Sequence, residues 1–261
     1  MEDFRETVWQ HYRQYGRTMP WRQEPTFYHV LVSEIMLQQT QVARVMVKYV
    51  EFMTLFPTID ALAAAPQSEV LRAWQGLGYN RRARYLHLTA KAVSEAGEPT
   101  TLAGLRALPG VGKNTAGAIM NYVYQVPTAY VETNIRTVYF HHFFNGAVDV
   151  SDHEIVEVVE RTMDREHSRE WFWALMDYGT WLKAQGMGRI DKSRHYKRQS
   201  PLSGSVREIR GRILRALSLD DVALNDLGRV VDADARFAVA LDGLINDGLV
   251  GIKDGVVYLT K

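Results

Sequence analysis

Residues 108–117 read LPGVGKNTAG, and this segment constrains the fold more than any other. Pro109 ends one helix, and we expect Gly110 and Gly112 to adopt the positive φ of a tight turn before the next helix. The glycines also leave backbone N–H groups exposed at a helix N-terminus, which is a favourable site for phosphate. The segment therefore predicts a helix-hairpin-helix, although on its own it also fits an ordinary turn between two helices.

A single acidic residue follows this motif in the segment Val131-Glu132-Thr133-Asn134. A carboxylate close to a bound phosphate opposes binding, because like charges repel. Glu132 therefore suggests chemistry rather than binding alone.

Three further strings accompany these motifs, namely MPWR at 19–22, VSEIMLQQTQV at 32–42 and QGLGY at 75–79. Over residues 18–180 the set closely resembles the helix-hairpin-helix DNA glycosylase superfamily, which includes endonuclease III and the MutY-type adenine glycosylases. The MutY pattern is the nearer one. The resemblance implies an all-α, two-domain fold that binds double-stranded DNA containing a mispaired or damaged base.

Apolar residues recur at helical spacing along nearly the whole chain. We place one helical domain with the hairpin at residues 23–129 and a second at 1–22 and 130–200. Residues 201–261 are predicted to form a winged-helix-like α/β module with a hairpin turned at Asp254-Gly255. We expect helices, with Ser68 and Ser151 as N-caps, near residues 2–15, 27–40, 42–56, 58–64, 68–74, 80–96, 101–106, 114–124, 131–144, 152–163, 168–183, 205–218 and 232–247.

The chain contains no cysteine, which excludes disulfides and thiolate-bound metal clusters. After the string LMDYG at 175–179 the family usually begins the four-cysteine loop of an iron–sulfur cluster. We therefore expect no iron–sulfur cluster, no other cofactor and no metal. No long apolar segment and no signal peptide are evident, so we expect a cytoplasmic monomer that does not bind membranes.

A net charge of +1 means that any DNA-binding face depends on local clusters of basic residues. One such cluster lies between Arg189 and Arg215, and within it we predict that Lys197 and Arg198 contact phosphates. A solvated surface is the alternative. The predicted last helix of the tail instead carries several aspartates, so a packing or partner-binding module is as consistent as a second DNA reader.

Breaking an N-glycosidic bond requires an anion near the sugar and an acid near the departing base. By resemblance, Glu132 takes the position of the family's catalytic aspartate, Glu34 that of the acid that protonates adenine, and Asn134 that of an asparagine that organises the site. Glu132 departs from the family pattern, because glutamate carries its carboxylate one methylene further out.

The residue at position 114 decides the reaction type predicted by the resemblance. The bifunctional branch has a lysine there, which forms a Schiff base with the sugar, whereas Asn114 cannot form an imine. We therefore expect a monofunctional enzyme that leaves an abasic site. Lys113 is assigned to the phosphate clamp.

Two further residues match those that wedge into the DNA helix in MutY enzymes, namely Gln39 and Tyr79. Basic residues at 81, 82 and 84 favour a DNA-facing loop beside Tyr79. The predicted DNA contacts, besides Lys197 and Arg198, are therefore Gln39, Tyr79, Arg81, Gly110, Gly112, Lys113, Asn114 and Thr115.

The function predicted from these residues is hydrolytic excision of adenine opposite 8-oxoguanine or guanine. The same fold acting on uracil, thymine or another damaged base is the first alternative, because Glu132 departs from the pattern and the tail is too short for the family's 8-oxoguanine-reading domain. A DNA-binding relative without catalysis is the second alternative.

Overall fold

The computed structural model describes residues 2–188, 190–194 and 200–261. Its helices are, in chain order, α1 (Glu2–Tyr15), α2 (Pro20–Gln23), α3 (Phe27–Leu37), α4 (Val42–Leu55), α5 (Ile59–Ala64), α6 (Gln67–Ala73), α7 (Arg81–Ala96), α8 (Leu102–Ala107), α9 (Lys113–Tyr122), α10 (Thr133–His142), α11 (Asp152–Thr162), α12 (Ser168–Ala184), α13 (Val206–Leu219), α14 (Leu224–Val230) and α15 (Phe237–Asn246). The strands are β1 (Val222–Ala223), β2 (Val250–Lys253) and β3 (Val256–Leu259). Within the described residues, no helix is both long and apolar enough to cross a bilayer.

The predicted all-α fold with a small C-terminal α/β module is confirmed. The predicted helices are present, and most differ from the observed ones only in their first or last residues. Ser151 is the N-cap of α11 and forms a capping box with Glu154. Ser68 is not an N-cap, because α6 begins one residue earlier after Pro66. The short elements α2, α14 and β1 were not predicted, because so few residues show no clear periodicity.

The chain forms two compact units. Unit 1 comprises Met1–Glu34 and Pro99–Arg198, and unit 2 comprises Ile35–Glu98 and Gln199–Lys261. This division differs from the predicted domains 23–129, 1–22 with 130–200, and 201–261. The hairpin belongs to unit 1 because α9 packs on α12, and the C-terminal module belongs to unit 2 because α13 and β3 pack on α6.

Unit 1 is built around α12, which packs against α1, α9 and α10. The crossing with α10 is close, since a Cβ atom on Gly179 would lie 2.3 Å from the carbonyl oxygen of Asn134. Asp177, also on α12, is buried and accepts hydrogen bonds from Arg17 Nε at 2.8 Å and from both terminal nitrogens of Arg22 at 2.9 Å. These contacts fix the MPWR segment to α12.

The C-terminal module of unit 2 is a three-stranded antiparallel sheet, in the order β1-β3-β2, with α13, α14 and α15. The predicted hairpin turn is present, and both Asp254 (φ 51°) and Gly255 (φ 76°) lie in the left-handed region, as in a type I′ turn. Gln67 of α6 donates a hydrogen bond to the carbonyl of Gly248 at 2.8 Å. Arg72, also on α6, donates to the carbonyl of Ser218 at 3.1 Å. The module therefore docks directly on the helices of its own unit.

Candidate active site

The helix-hairpin-helix is formed by α8 and α9, and its two glycines differ in conformation. Gly110 has φ 74°, as predicted. The prediction of a positive φ at Gly112 is wrong, because this residue is the extended N-cap of α9, with φ −82° and ψ 179°. A Cβ atom at Gly112 would meet no atom within 4 Å. Neither backbone strain nor packing therefore requires glycine there, and its effect is to leave the start of α9 open to approach.

The three residues after Gly112 have different environments. The Lys113 side chain is 66% exposed, and its Nζ lies 3.9 Å from Asp152 Oδ2. Thr115 is buried, so its predicted DNA contact would have to come from its backbone amide. Asn114 points away from Lys113 and toward the segment that precedes Glu132.

The side chain of Asn114 ties the hairpin to the segment that carries Glu132. Its Nδ2 donates a hydrogen bond to the carbonyl of Val131 at 2.7 Å. Its Oδ1 is buried and accepts no hydrogen bond from the described residues. Both Asn114 and Val131 line a small cavity of about 100 Å³ within unit 1.

Glu132 is the N-cap of α10 rather than a solvent-facing residue within the helix. Its Oε1 accepts hydrogen bonds from the backbone N–H groups of Asn134 at 2.5 Å and Ile135 at 2.9 Å. The other oxygen, Oε2, lies 3.4 Å from Asn134 Nδ2. The longer glutamate side chain thus folds back onto the helix N-terminus, where the helix dipole favours a negative charge.

Asn134 is held by the adjacent helix α12. Its Nδ2 lies 3.6 Å from Met176 Sδ, and its Oδ1 accepts a hydrogen bond from Thr180 Oγ1 at 3.3 Å. The structure therefore brings Glu132 and Asn134 together, as the resemblance implies, and adds two residues of α12 that sequence reasoning missed.

Glu34 lies in the same unit, surrounded by protein atoms while retaining some accessible surface. The pKa of its carboxyl is raised to about 8, mainly by desolvation and also by the charge of Glu132, while the charge of Arg22 opposes the shift. Desolvation also raises the pKa of Glu132, but four groups oppose that shift: the N–H of Ile135, the charge of Lys183, the N–H of Asn134 and the charge of Arg136. Hydrogen bonds and nearby cations favour the ionised form of Glu132, whereas only the charge of Arg22 favours ionised Glu34, so the surroundings favour a proton on Glu34 over one on Glu132.

Lys183 and Arg22 were not recognised as parts of the site from the sequence. The spacing of Met176, Thr180 and Lys183 places these three on one face of α12. That spacing was a usable signal, because Asn134 contacts the first two. A buried pair beside Glu34 was also missed, in which the hydroxyls of Tyr122 and Tyr130 lie 2.8 Å apart.

The two predicted wedge residues both lie in unit 2 and both have left-handed backbones, with φ 57° at Gln39 and 46° at Tyr79. One guanidinium joins their turns. Arg82, one of the three basic residues that favoured a DNA-facing loop beside Tyr79, instead has a buried side chain that donates to acceptors in both turns. These are the carbonyls of Ile35 (2.8 Å), Met36 (2.8 Å), Gln38 (2.5 Å), Leu77 (3.1 Å) and Gly78 (2.9 Å), and Thr40 Oγ1 (3.0 Å).

The cations predicted to contact DNA differ in their exposure and in their partners. Arg81 is 59% exposed, and its Nη1 lies 3.5 Å from Asp247 Oδ1. Lys197 and Arg198 lie outside the described residues. Two arginines of α13 are paired with acids of the C-terminal module: Arg210 with Asp247 at 2.5 Å, and Arg212 with Glu208 at 2.9 Å. These acids and arginines largely neutralise each other.

The position at which the family's iron–sulfur loop begins is helical here. Helix α12 continues through Thr180 to Ala184, and Trp181 stacks on Tyr178 with ring centroids 5.9 Å apart. Because the chain has no cysteine, its residues do not fit such a cluster.

Residues 32–165 match the HhH-GPD family, described as the HhH-GPD superfamily base excision DNA repair protein. The chain belongs to this superfamily. The match includes the hairpin, both candidate carboxylates and both wedge turns.

Individual relatives agree with the family. The adenine DNA glycosylase of Mycobacterium tuberculosis (strain H37Rv) is 31% identical, over 92% of this chain and 87% of that protein. The adenine DNA glycosylase of Buchnera aphidicola subsp. Baizongia pistaciae is 34% identical over 67% of this chain, which spans about half of that relative (52%). A solved structure of a thermostable thymine-DNA glycosylase has the same fold, with a TM-score of 0.65, 24% identity and coverage of 73% of this chain and 91% of that one.

Proposed function

We propose that the protein is a monofunctional DNA glycosylase that removes adenine paired with 8-oxoguanine or guanine and leaves an abasic site. The observation that carries the proposal is the pair of carboxyl groups in unit 1, in which Glu132 caps α10 through two backbone N–H groups and desolvation raises the pKa of Glu34 to about 8. Curated relatives that are named adenine DNA glycosylases support the choice of adenine.

The two carboxyl groups match the two charges that develop as the glycosidic bond breaks. Glu34 donates its proton to the adenine ring, so that the base departs neutral. Glu132 stabilises the positive charge that grows on the deoxyribose. A water molecule then adds to the anomeric carbon, and the proton that it loses restores the protonated form of Glu34. Asn134 positions Glu132 through the contacts of its amide and its backbone N–H.

The monofunctional assignment rests on Asn114. Its amide cannot form an imine with the sugar, and its Nδ2 is already engaged by the carbonyl of Val131. Its role in the proposal is to fix the segment before Glu132 relative to the hairpin.

The partner is double-stranded DNA bound by a monomer of this protein. The open N-terminus of α9 at Gly112 and the exposed ammonium of Lys113 suit a phosphate. Gln39 and Tyr79 fill the space left by the flipped base. Arg81, Thr115 and, outside the described residues, Lys197 and Arg198 are further proposed contacts.

Purified protein should be incubated with duplexes that each carry one defined pair: adenine opposite 8-oxoguanine, adenine opposite guanine, uracil opposite guanine or thymine opposite guanine. We expect excision of adenine, strand cleavage only after alkali, and no adduct trapped by borohydride. Excision of uracil or thymine but not adenine would refute the substrate. Efficient trapping, or cleavage without alkali, would refute the monofunctional assignment.

A further inference from the structure

The C-terminal module contacts the Tyr79 side chain through one residue of α13. Nη1 of Arg207 donates a hydrogen bond to the Tyr79 hydroxyl, and the Arg207 Cζ lies 5.1 Å from the centroid of the tyrosine ring. The same guanidinium therefore contacts both the polar tip and the face of the ring.

The other terminal nitrogen of Arg207 is anchored within the module. Nη2 donates to the carbonyl of Ser200 at 2.7 Å, to Ser200 Oγ at 3.2 Å and to the carbonyl of Pro201 at 3.3 Å. A planar guanidinium that is fixed on one side holds its partner on the other side in a defined direction. Arg207 thus couples Tyr79 to the segment that precedes α13.

Tyr79 is held from a second direction by Arg82. The Arg82 Cζ lies 5.6 Å from the centroid of the same ring, and its Nε donates to the Tyr79 carbonyl at 3.4 Å. The backbone of Tyr79 is fixed by one arginine and its hydroxyl by another, so the side chain loses rotamer freedom before any ligand is present.

We propose that Arg207 is a positioning residue for Tyr79, and that the C-terminal module acts on DNA through this tyrosine rather than through a recognition helix of its own. The proposal rests on the proposed function of Tyr79 as a wedge. Its physical basis is preorganisation, because a side chain ordered in the free protein costs less conformational entropy when it enters the DNA stack.

The acidic residues of the module agree with this role. Asp247, at the end of α15, pairs with Arg210, and Glu208 pairs with Arg212 and Arg236. The pairs of Arg210 with Asp247 and of Arg236 with Glu208 join α13 to the ends of α15, and together with Arg212–Glu208 they leave the module little net positive charge for phosphates. The module instead contributes by packing on α6 and by the contact of Arg207 with Tyr79.

The test uses a duplex with a stable abasic analogue opposite 8-oxoguanine and 2-aminopurine beside it, whose fluorescence rises when a wedge unstacks it. This probe does not depend on which base the enzyme excises. The variants are Arg207→Ala, Arg207→Lys, Tyr79→Phe, Tyr79→Ala and, as a matched control, Arg215→Ala, which removes an exposed arginine of the same helix.

We expect Arg207→Ala to weaken binding to this probe about tenfold and to reduce the fluorescence change, as expected for the loss of a charged hydrogen bond. Affinity for undamaged duplex should stay the same. Arg207→Lys should restore part of the signal, and Tyr79→Phe should match Arg207→Ala, with no further loss in the double variant. Arg215→Ala should behave like the wild type.

Three other results would overturn the proposal, and they can be told apart. If Tyr79→Ala unstacks the probe normally, the wedge function of Tyr79 fails. If Tyr79→Ala loses the signal while Arg207→Ala and Tyr79→Phe keep it, only the positioning role fails. If Arg207→Ala binds the probe more tightly than the wild type, Arg207 restrains Tyr79, which also overturns the proposal. A melting curve for each variant shows whether it is folded.

Discussion

Each unit contains a desolvated ionisable group, but the surroundings of the two groups differ. In unit 2, the buried guanidinium of Arg82 donates hydrogen bonds to carbonyls of two turns, with acceptors for both terminal nitrogens. In unit 1, Glu34 is desolvated next to a second carboxyl, and its pKa rises to about 8. Desolvation lowers the pKa of Arg82 only to about 10, so its guanidinium stays charged at neutral pH, whereas desolvation makes ionisation of Glu34 unfavourable there.

This difference agrees with a structural role for Arg82 and with the proposed catalytic role of Glu34. A buried charge with a complete set of partners stabilises the chain and has no reason to change its protonation state. A buried acid that ionises only at elevated pH is poised to give up a proton, and the energetic cost of keeping it there is a sign of function. Substitutions in both units test this distinction.

The largest effect is expected for Glu132→Gln. This change removes the negative charge near the sugar but keeps an oxygen that can cap α10, so the fold and duplex binding should be preserved. We expect single-turnover excision to fall at least about a thousandfold, because the charge acts mainly in the transition state. Glu157→Gln, an exposed glutamate of α11, is the control.

Glu132→Asp sharpens the same test, since it restores the residue that the family pattern has there. The shorter side chain need not reach the N–H groups of Asn134 and Ile135 in the same way. Retained activity would mean that glutamate is a tolerated variation, and collapse would mean that the pocket is built around it. Full activity of Glu132→Gln would contradict the role of the charge altogether.

Glu34→Gln should have the next largest effect. Loss of a general acid typically costs about a hundredfold or more, so adenine excision should fall by at least that factor, while any excision of uracil or thymine should change far less. Pyrimidines lack the ring nitrogen that Glu34 is proposed to protonate. Adenine excision that is indifferent to this change would refute the acid role and favour a different base as substrate.

The raised pKa of Glu34 also predicts how the stability of the protein depends on pH. Folding raises the pKa of Glu34 from 4.5 to about 8. The folded protein therefore retains a proton that the unfolded chain releases, so the contribution of Glu34 to stability falls as the pH rises from 4.5 to 8. Melting temperatures of Glu34→Gln should decline less over this range than those of the wild type. Parallel curves for the two proteins would contradict the pKa shift.

The sequence allowed much of this to be predicted, for identifiable reasons. Long periodic helices and the type I′ turn at Asp254-Gly255 follow from local chemistry, whereas the fold class was predicted from the family resemblance. The role of Arg82 could not be predicted, because Arg81, Arg82 and Arg84 look alike in sequence and only tertiary packing buries Arg82. The φ of Gly112 was predicted wrongly, because a glycine can also occur where the backbone must stay accessible, without adopting a positive φ.

Arg82→Met tests the structural side of the comparison. It leaves carbonyls in both wedge turns without their donor, and we expect a loss of about 2 kcal/mol in the free energy of unfolding. Arg81→Met removes the exposed neighbour on α7 and should cost less than about 0.5 kcal/mol. Urea titrations of both variants give the values. Equal, small losses would mean that the buried guanidinium is not what holds the two turns.

The smallest effect is expected for Lys113→Ala. Lys113 is an exposed cation of unit 1, and it is compared with Arg212, a paired cation of unit 2. If Lys113 contacts a phosphate, its loss should weaken binding to all duplexes by a similar few-fold factor and reduce the slope of log affinity against log salt by about 1. Arg212→Gln is the counterpart, because Arg212 is already paired with Glu208 at 2.9 Å. It should leave the slope unchanged in fluorescence-anisotropy titrations. If Arg212→Gln lowers the slope and Lys113→Ala does not, the charged side chains of the C-terminal module face DNA, and the hairpin is not the phosphate clamp.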